Sequence, residues 1–202
     1  MSKAVLLSIQ PKWCELIASG KKTVEVRKTR PKLETPFKVY IYCTNGKPIL
    51  GRCLLDDSLK ETPETDFDNY NRDTLFRANG KVIGEFVCKA ILPISITYSD
   101  PNSRLALKEF PFTCLTDKEI MDYLGNGKEG YGWCISDLVI YDKPKELREF
   151  HNFCETYPCC DESCEYYSWT VEGGTECMCD TEKPFKRPPQ SWCYVEELVG
   201  KD

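Results

Sequence analysis

The chain has 202 residues, a formal net charge of −5, and a composition that is 41% hydrophobic, 12% aromatic and 29% charged. That length buries one sizeable core, and the composition, with ordinary apolar content and rather high aromatics, leaves no long disordered tract. No apolar run approaches a membrane span, and the apolar part of the N-terminus is too short for a signal peptide. A soluble, cytoplasmic protein without a membrane partner is therefore expected.

Charge is unevenly spread. Residues 1–38 hold nine lysines and arginines against three glutamates, a balance of +6 that leaves −11 for the remainder. A locally basic segment on an acidic body suits a focused anionic ligand better than indiscriminate duplex binding. The same pattern would also arise from an ordinary solvated face.

Ala4 to Ile9 reads as a first strand. In Pro11 to Ser19, Trp13, Leu16 and Ile17 recur at helical spacing, with Pro11 in the first turn, where its missing N–H costs little. Gly20 stands where a left-handed helix C-cap is expected. The pattern then switches to period two: Thr23, Glu25 and Arg27 fall on one face of a short strand, and Lys22, Val24 and Val26 on the other. Arg30 precedes Pro31, which favours an extended backbone. Such a segment can be a charged hairpin edge, since lysines commonly guard edge strands.

Phe37 to Cys43 alternates cleanly and predicts a strand ended by Thr44-Asn45-Gly46. Residues 56–78 are acidic and polar, as expected of a surface insertion. Lys81 to Ile91 predicts another strand, in which Gly84 marks a bulge or a close backbone approach and Glu85 faces solvent. Thr116 to Leu124 predicts a helix with Thr116 as N-cap and Glu119 closing a capping box. A glycine-rich turn over Gly125 to Gly132 lacks phosphate-loop spacing. Tyr131 to Ile140 predicts a strand, Tyr141 to Pro144 its end, and Pro144 to Phe150 a short helix or turn. After Pro188-Pro189, which force an extended approach, Trp192 to Val195 predicts a closing strand.

The run Gly20-x-Lys22-x-x-Glu25-x-Arg27, directly after a strand and a helix, resembles the signature of ASCH domains, a branch of the PUA-like superfamily. The stretches Gly80 to Cys88 and Tyr131 to Ile140 resemble the central and late strands of such domains. The resemblance implies an α+β fold, a PUA-like mixed β-barrel with short flanking helices, whose helix-turn-strand lines a cleft for RNA, nucleotides or nucleosides. With the tail from Phe185 to Val195, the chain looks like a set of ASCH-like proteins carried by phages and prophages. The barrel is expected to span residues 1–150 and 185–202, with residues 151–184 inserted.

That insertion is rich in cysteine. Of 13 cysteines, Cys14, Cys43, Cys53, Cys88, Cys114, Cys134 and Cys193 are scattered, mostly in apolar segments where a free thiol behaves as a small hydrophobe. Cys154, Cys159, Cys160, Cys164, Cys177 and Cys179 are crowded together, with His151 just ahead of them. Without an export signal, crowding favours a tetrahedral structural zinc over disulfides. Cys154, Cys160, Cys164 and Cys177 are the preferred ligands, with Cys159 and Cys179 as substitutes. The segment is poor in aliphatic residues, so metal would supply folding energy that a core does not.

Candidate ligand contacts follow. Lys22, Arg27 and Arg30 suit phosphates, and Glu25 can accept from a base edge or pair with Arg27. Trp13, Tyr131, Trp133 and Trp192 are stacking candidates, although aromatics more often belong to cores. Gln190 and Ser191, beside the rigid prolines, suit a base edge. The function expected is binding of RNA or a modified nucleotide or nucleoside. One alternative is a factor that engages host proteins. Another is an amidohydrolase of an N-acylated nucleoside, since some ASCH proteins carry such chemistry on a Lys–Thr–Glu arrangement. Here Lys22 matches the lysine, but Glu25 stands where the threonine belongs, leaving Lys22 and Glu25 as the acid–base pair.

Overall fold

A computed structural model of the chain describes residues 2–45, 78–95, 111–153, 167–169, 175–177 and 185–198. Its elements run in order as β1 (Lys3–Ile9), α1 (Pro11–Ala18), β2 (Val24–Arg27), β3 (Phe37–Cys43), β4 (Lys81–Ser95), α2 (Asp117–Leu124), β5 (Glu129–Glu146), β6 (Tyr167–Trp169), β7 (Thr175–Cys177) and β8 (Trp192–Glu196). Single 3-10 turns occupy Pro111–Thr113 and Leu147–Glu149. Among the described residues no helix is long and apolar enough to cross a membrane.

Six strands form one sheet in the order β2-β5-β4-β3-β1-β8. β1 and β3 run parallel, with Val5 opposite Val39 and Ile9 opposite Cys43, and the other pairings are antiparallel. Alternation sorts β1 onto two cores. Val5, Leu7 and Ile9 pack with Val39, Ile41, Phe86 and Trp133 under α1, which contributes Cys14 and Ile17. Ala4 and Leu6 pack on the other face with Tyr40, Tyr42, Val82, Phe150 and Val195. Burial on both faces explains why β1 is an almost unbroken apolar run. β6 and β7 pair in a separate two-stranded sheet.

Several local expectations hold. Gly20 has φ +72° and ends α1, where its N–H bonds the Ile17 carbonyl at 2.9 Å. Thr116 and Glu119 form the capping box of α2. Around Gly84 the β4–β5 register shifts, and a methyl there would collide with the Val139 carbonyl, so the glycine marks both a bulge and a close approach.

Others are corrected. The hydrogen-bonded order does not return from β8 to β2, so the described strands form an open sheet and not a closed barrel. Pro188 and Pro189, just before β8, have no N–H to offer a neighbouring strand. The two edges meet instead through side chains: Trp192 Nε1 donates to Thr29 Oγ1 at 3.0 Å. β5 does not end at Pro144 but reaches Glu146, with Val82 opposite Lys145, because the long β4 gives it a partner to the end. Glu85 does not face open solvent; it is half-buried, accepts from the Tyr141 hydroxyl, and pairs with Lys38 at 3.2 Å. The insertion at residues 56–78 lies outside the described residues except for Ala78, which is buried in the core.

Candidate functional site

The turn after Gly20 brings a lysine inward. Lys22 N–H bonds the Leu16 carbonyl at 2.8 Å, and Thr23 N–H bonds that of Phe112 at 3.0 Å. The turn is thereby clamped between α1 and the Pro111–Thr113 segment. Lys22 precedes β2 and does not follow its alternation. It therefore joins Glu25 and Arg27, contrary to the period-two reading that put it on the valine face.

Three charged side chains are consequently buried together. Lys22, Glu25 and Arg27 are only 2%, 5% and 8% exposed. Lys22 Nζ donates to the Thr113 carbonyl at 2.6 Å and lies 3.3 Å from Glu25 Oε2. Arg27 Nη2 lies 2.9 Å from Glu25 Oε1 and donates to the Ser8 carbonyl at 2.7 Å. Arg27 Nη1 reaches Ser191 Oγ at 3.5 Å, and its buried Nε has no hydrogen-bond partner among the described residues. Glu25 thus divides its two oxygens between two cations. Burying such a cluster is tolerable only because each charge meets an opposite charge or a carbonyl dipole.

The cluster forms the floor of a cleft of about 590 Å³. Trp13 of α1 lines one side, and Leu115 with Glu119, Asp122 and Tyr123 of α2 the other. Ser8, Gln10, Val26, Thr44, Gln190 and Ser191 complete the lining. Lys12 of α1 reaches across to Glu119 of α2 at 3.6 Å, and its ammonium also lies over the Trp13 ring, 4.2 Å from the centroid. The Thr116 backbone and hydroxyl, followed by Lys12, hold the Glu119 carboxyl below its ordinary value. The lining therefore carries two cations and three carboxylates, and the cations are already engaged.

The aromatic expectations divide. Trp13 is half-buried at the cleft, as expected. Trp133 is fully buried, edge-on to Phe37 at 5.9 Å, and belongs to the core. Trp192 packs 6.0 Å from Trp133 and 5.4 Å from Tyr194, outside the cleft lining. Tyr131 lies opposite Arg27 in the β2–β5 ladder and carries Arg30 over its ring at 5.7 Å. Arg30 lines a different cavity, of about 650 Å³, formed with residues 31–35 and Ile91. Gln190 and Ser191 do line the cleft.

What the sequence reading missed is the α2 wall. Glu119, Asp122 and Tyr123 recur at the i, i+3, i+4 spacing of one helix face, beside the buried Ile120 and Leu124. That spacing was legible; that the face closes a cleft depends on where α2 docks.

Of the expected zinc ligands, Cys154, Cys160 and Cys164, and the substitutes Cys159 and Cys179, lie outside the described residues. Cys177 is in β7, opposite Tyr167, and His151, the first residue of the insertion, is half-buried. Among the described residues no group of three or more His, Cys, Asp or Glu is placed to hold a metal. Of the scattered cysteines, Cys53 lies outside the described residues; among the described ones Cys14, Cys43 and Cys88 are buried, Cys134 and Cys193 half-buried, and Cys114 exposed.

Comparison with known proteins agrees with this architecture. A family model for the ASCH domain matches residues 7–172, and the chain belongs to that family. Among solved structures it is similar to an ASCH protein of Zymomonas mobilis. A serine-to-alanine variant of that protein superposes with a TM-score of 0.50 at 16% identity, covering 96% of this chain and 89% of that one. The parent protein gives a TM-score of 0.45 at 18% identity over 71% of this chain and 73% of its own. At such identity the likeness is one of fold alone. No curated protein matches the sequence.

Proposed function

We propose that this chain binds RNA, or a nucleotide or nucleoside derived from it, by seating one base in the cleft between α1 and α2. The observation that carries this reading is the cleft's composition: a locked polar floor between an indole and a phenol. The volume falls within the range usual for small-ligand sites. Trp13 and Tyr123 offer flat surfaces for stacking, and Lys12, 64% exposed, is free to leave the Trp13 ring when a base arrives. Gln190 and Glu25 offer a donor–acceptor amide and an acceptor to a base edge. Because Lys22 and Arg27 are engaged by Glu25, and Glu119 and Asp122 stand nearby, a phosphate chain is disfavoured inside the cleft. The base and sugar belong there, and phosphates outside.

The test is native mass spectrometry of the purified chain, before and after denaturation, followed by titration with short single-stranded RNA. A co-purified nucleotide or RNA that is lost in Trp13→Ala and Gln190→Ala variants of unchanged melting temperature supports the reading. An empty cleft and no binding to RNA, nucleotides or nucleosides overturns it.

A second reading rests on the 3.3 Å approach of Lys22 Nζ to Glu25. A lysine–carboxylate pair in a cleft has the parts for acid–base hydrolysis of an N-acylated nucleoside. It ranks lower, because Glu25 occupies the place of the threonine that does that chemistry in related proteins. Release of free cytidine from N-acetylcytidine, abolished in Glu25→Gln, would raise it to first. Engagement of a host protein rests only on the acidic balance of residues 39–202. For the insertion we propose a structural zinc held by Cys154, Cys160, Cys164 and Cys177.

A further inference from the structure

A second surface adjoins the cleft. The nine residues between β2 and β3, from Lys28 to Pro36, leave the cleft floor at Arg27 and run across the sheet edge without joining it. Lys28, Arg30 and Lys32 alternate along this strap and are exposed. Among the described residues no ion pair engages any of the three, and the strap's own Glu34 is the only carboxylate lining the cavity beside it. On a chain whose remaining residues are strongly acidic, three cations in a row with no carboxylate partner among the described residues is a departure that needs a reason.

The strap is also fixed in place. Trp192 Nε1 donates to Thr29 Oγ1 at 3.0 Å, and the Lys32 N–H donates to the Tyr194 hydroxyl at 2.7 Å. Lys28 lies over the Tyr123 ring at 5.1 Å and Arg30 over Tyr131 at 5.7 Å. Tyr123 is itself part of the cleft wall, so the first cation of the strap stands at the cleft's mouth. The next leads to the cavity of about 650 Å³ lined by Arg30, Lys32 and Glu34. Aromatic hydroxyls and indoles that could have been ordinary core groups are used here to hold a loop from beneath.

We infer that the Lys28–Arg30–Lys32 strap is a track for the phosphate backbone of single-stranded RNA whose base occupies the cleft. The inference rests on the cleft reading and extends it: the preferred substrate is a polynucleotide, because the cleft takes a base while the strap takes the phosphates beside it. Fixed cations at alternate positions, with aromatic rings beneath, suit a flexible backbone and unstacked bases. A free nucleoside uses only the cleft.

The test measures binding of a fluorescein-labelled single-stranded RNA octamer by anisotropy at several salt concentrations, alongside binding of cytidine and uridine by calorimetry. The wild type is compared with the triple variant Lys28→Gln, Arg30→Gln, Lys32→Gln. All three residues are exposed, so its melting temperature should match the parent. The variant should lose octamer affinity and show a slope of log K against log salt shallower by about 2, from three phosphate contacts on a single strand. Its nucleoside affinity should not change. An unchanged octamer slope overturns the track while leaving the cleft reading intact. An equal loss for octamer and nucleosides also overturns it, since the strap would then be acting through the cleft. Failure of the wild-type chain to bind either probe overturns both readings together.

Discussion

Arg27 donates a 2.7 Å hydrogen bond to the carbonyl of Ser8, although three strands separate β2 from β1 in the sheet. This contact crosses the gap where a closed barrel would have had a ladder. The cleft lies in that gap, and the side chain that spans it is part of the cleft floor. Fold and site therefore share the same three charged residues.

Removing one member of that cluster should cost more than the cluster contributes. Arg27→Ala leaves the Glu25 carboxylate with Lys22 alone, and Glu25→Ala leaves two buried cations unopposed. Each should lower unfolding free energy by about 3–5 kcal/mol, read from urea denaturation. A loss below ~1 kcal/mol would show that water already reaches the cluster.

Two tryptophans expected to share a role should behave differently. Trp133→Ala removes a fully buried side chain and should destabilise the fold by about 3–5 kcal/mol. Trp13→Ala should leave the melting temperature within a few degrees but weaken RNA binding by about 1–3 kcal/mol, the usual worth of one stacked base. Calorimetric titration with short single-stranded RNA and a thermal melt of each variant separate the two cases.

Gly84 and Gly20 should also diverge. Gly84→Ala drives a methyl into the Val139 backbone, where neither strand can yield without breaking the ladder, and should cost about 2–3 kcal/mol. Gly20→Ala meets no neighbour but is strained by φ +72°, and should cost about 1–2 kcal/mol. Denaturation midpoints at constant slope check the order.

Stability should fall on the alkaline side. Burial pushes the thiols of Cys88 and Cys193 from 9.0 up to about 12. Above pH 9 the unfolded chain releases these protons while the folded chain keeps them, so the folded state loses ground as pH rises. The contribution is present in full below pH 9 and is lost progressively toward pH 12. Burial, then its bond to Glu85, also raises the Tyr141 hydroxyl and acts in the same direction. Urea midpoints from pH 7.5 to 11 should decline, and a Cys88→Ala, Cys193→Ala variant should decline less steeply.

Elemental analysis of chain purified under reducing conditions should find one zinc per molecule. Its removal by a chelator should leave the melting of the main sheet close to its starting value, with proteolysis confined to residues 154–184. Disulfides among Cys154, Cys159, Cys160, Cys164, Cys177 and Cys179 in mass spectra, with no zinc, would overturn the metal proposal.

The sequence by itself determined the local elements whose signals are local: the β3 alternation, the α2 capping box and the Gly20 turn; it also carried the resemblance to the ASCH family, to which the chain belongs. Backbone dihedral preferences and side-chain periodicity act over a few residues, so they can be read without a fold. What the tertiary structure decided is which of those residues meet. Lys22 turned toward Glu25 because its backbone is tied to Leu16 and not to a strand. Trp133 became core, Arg30 moved to a neighbouring surface, and Glu119 and Tyr123 closed the cleft. Those outcomes depend on contacts between segments far apart in the chain, such as Arg27 with Ser191, 164 residues away. Neither alternation nor spacing carries information over that distance; only packing does.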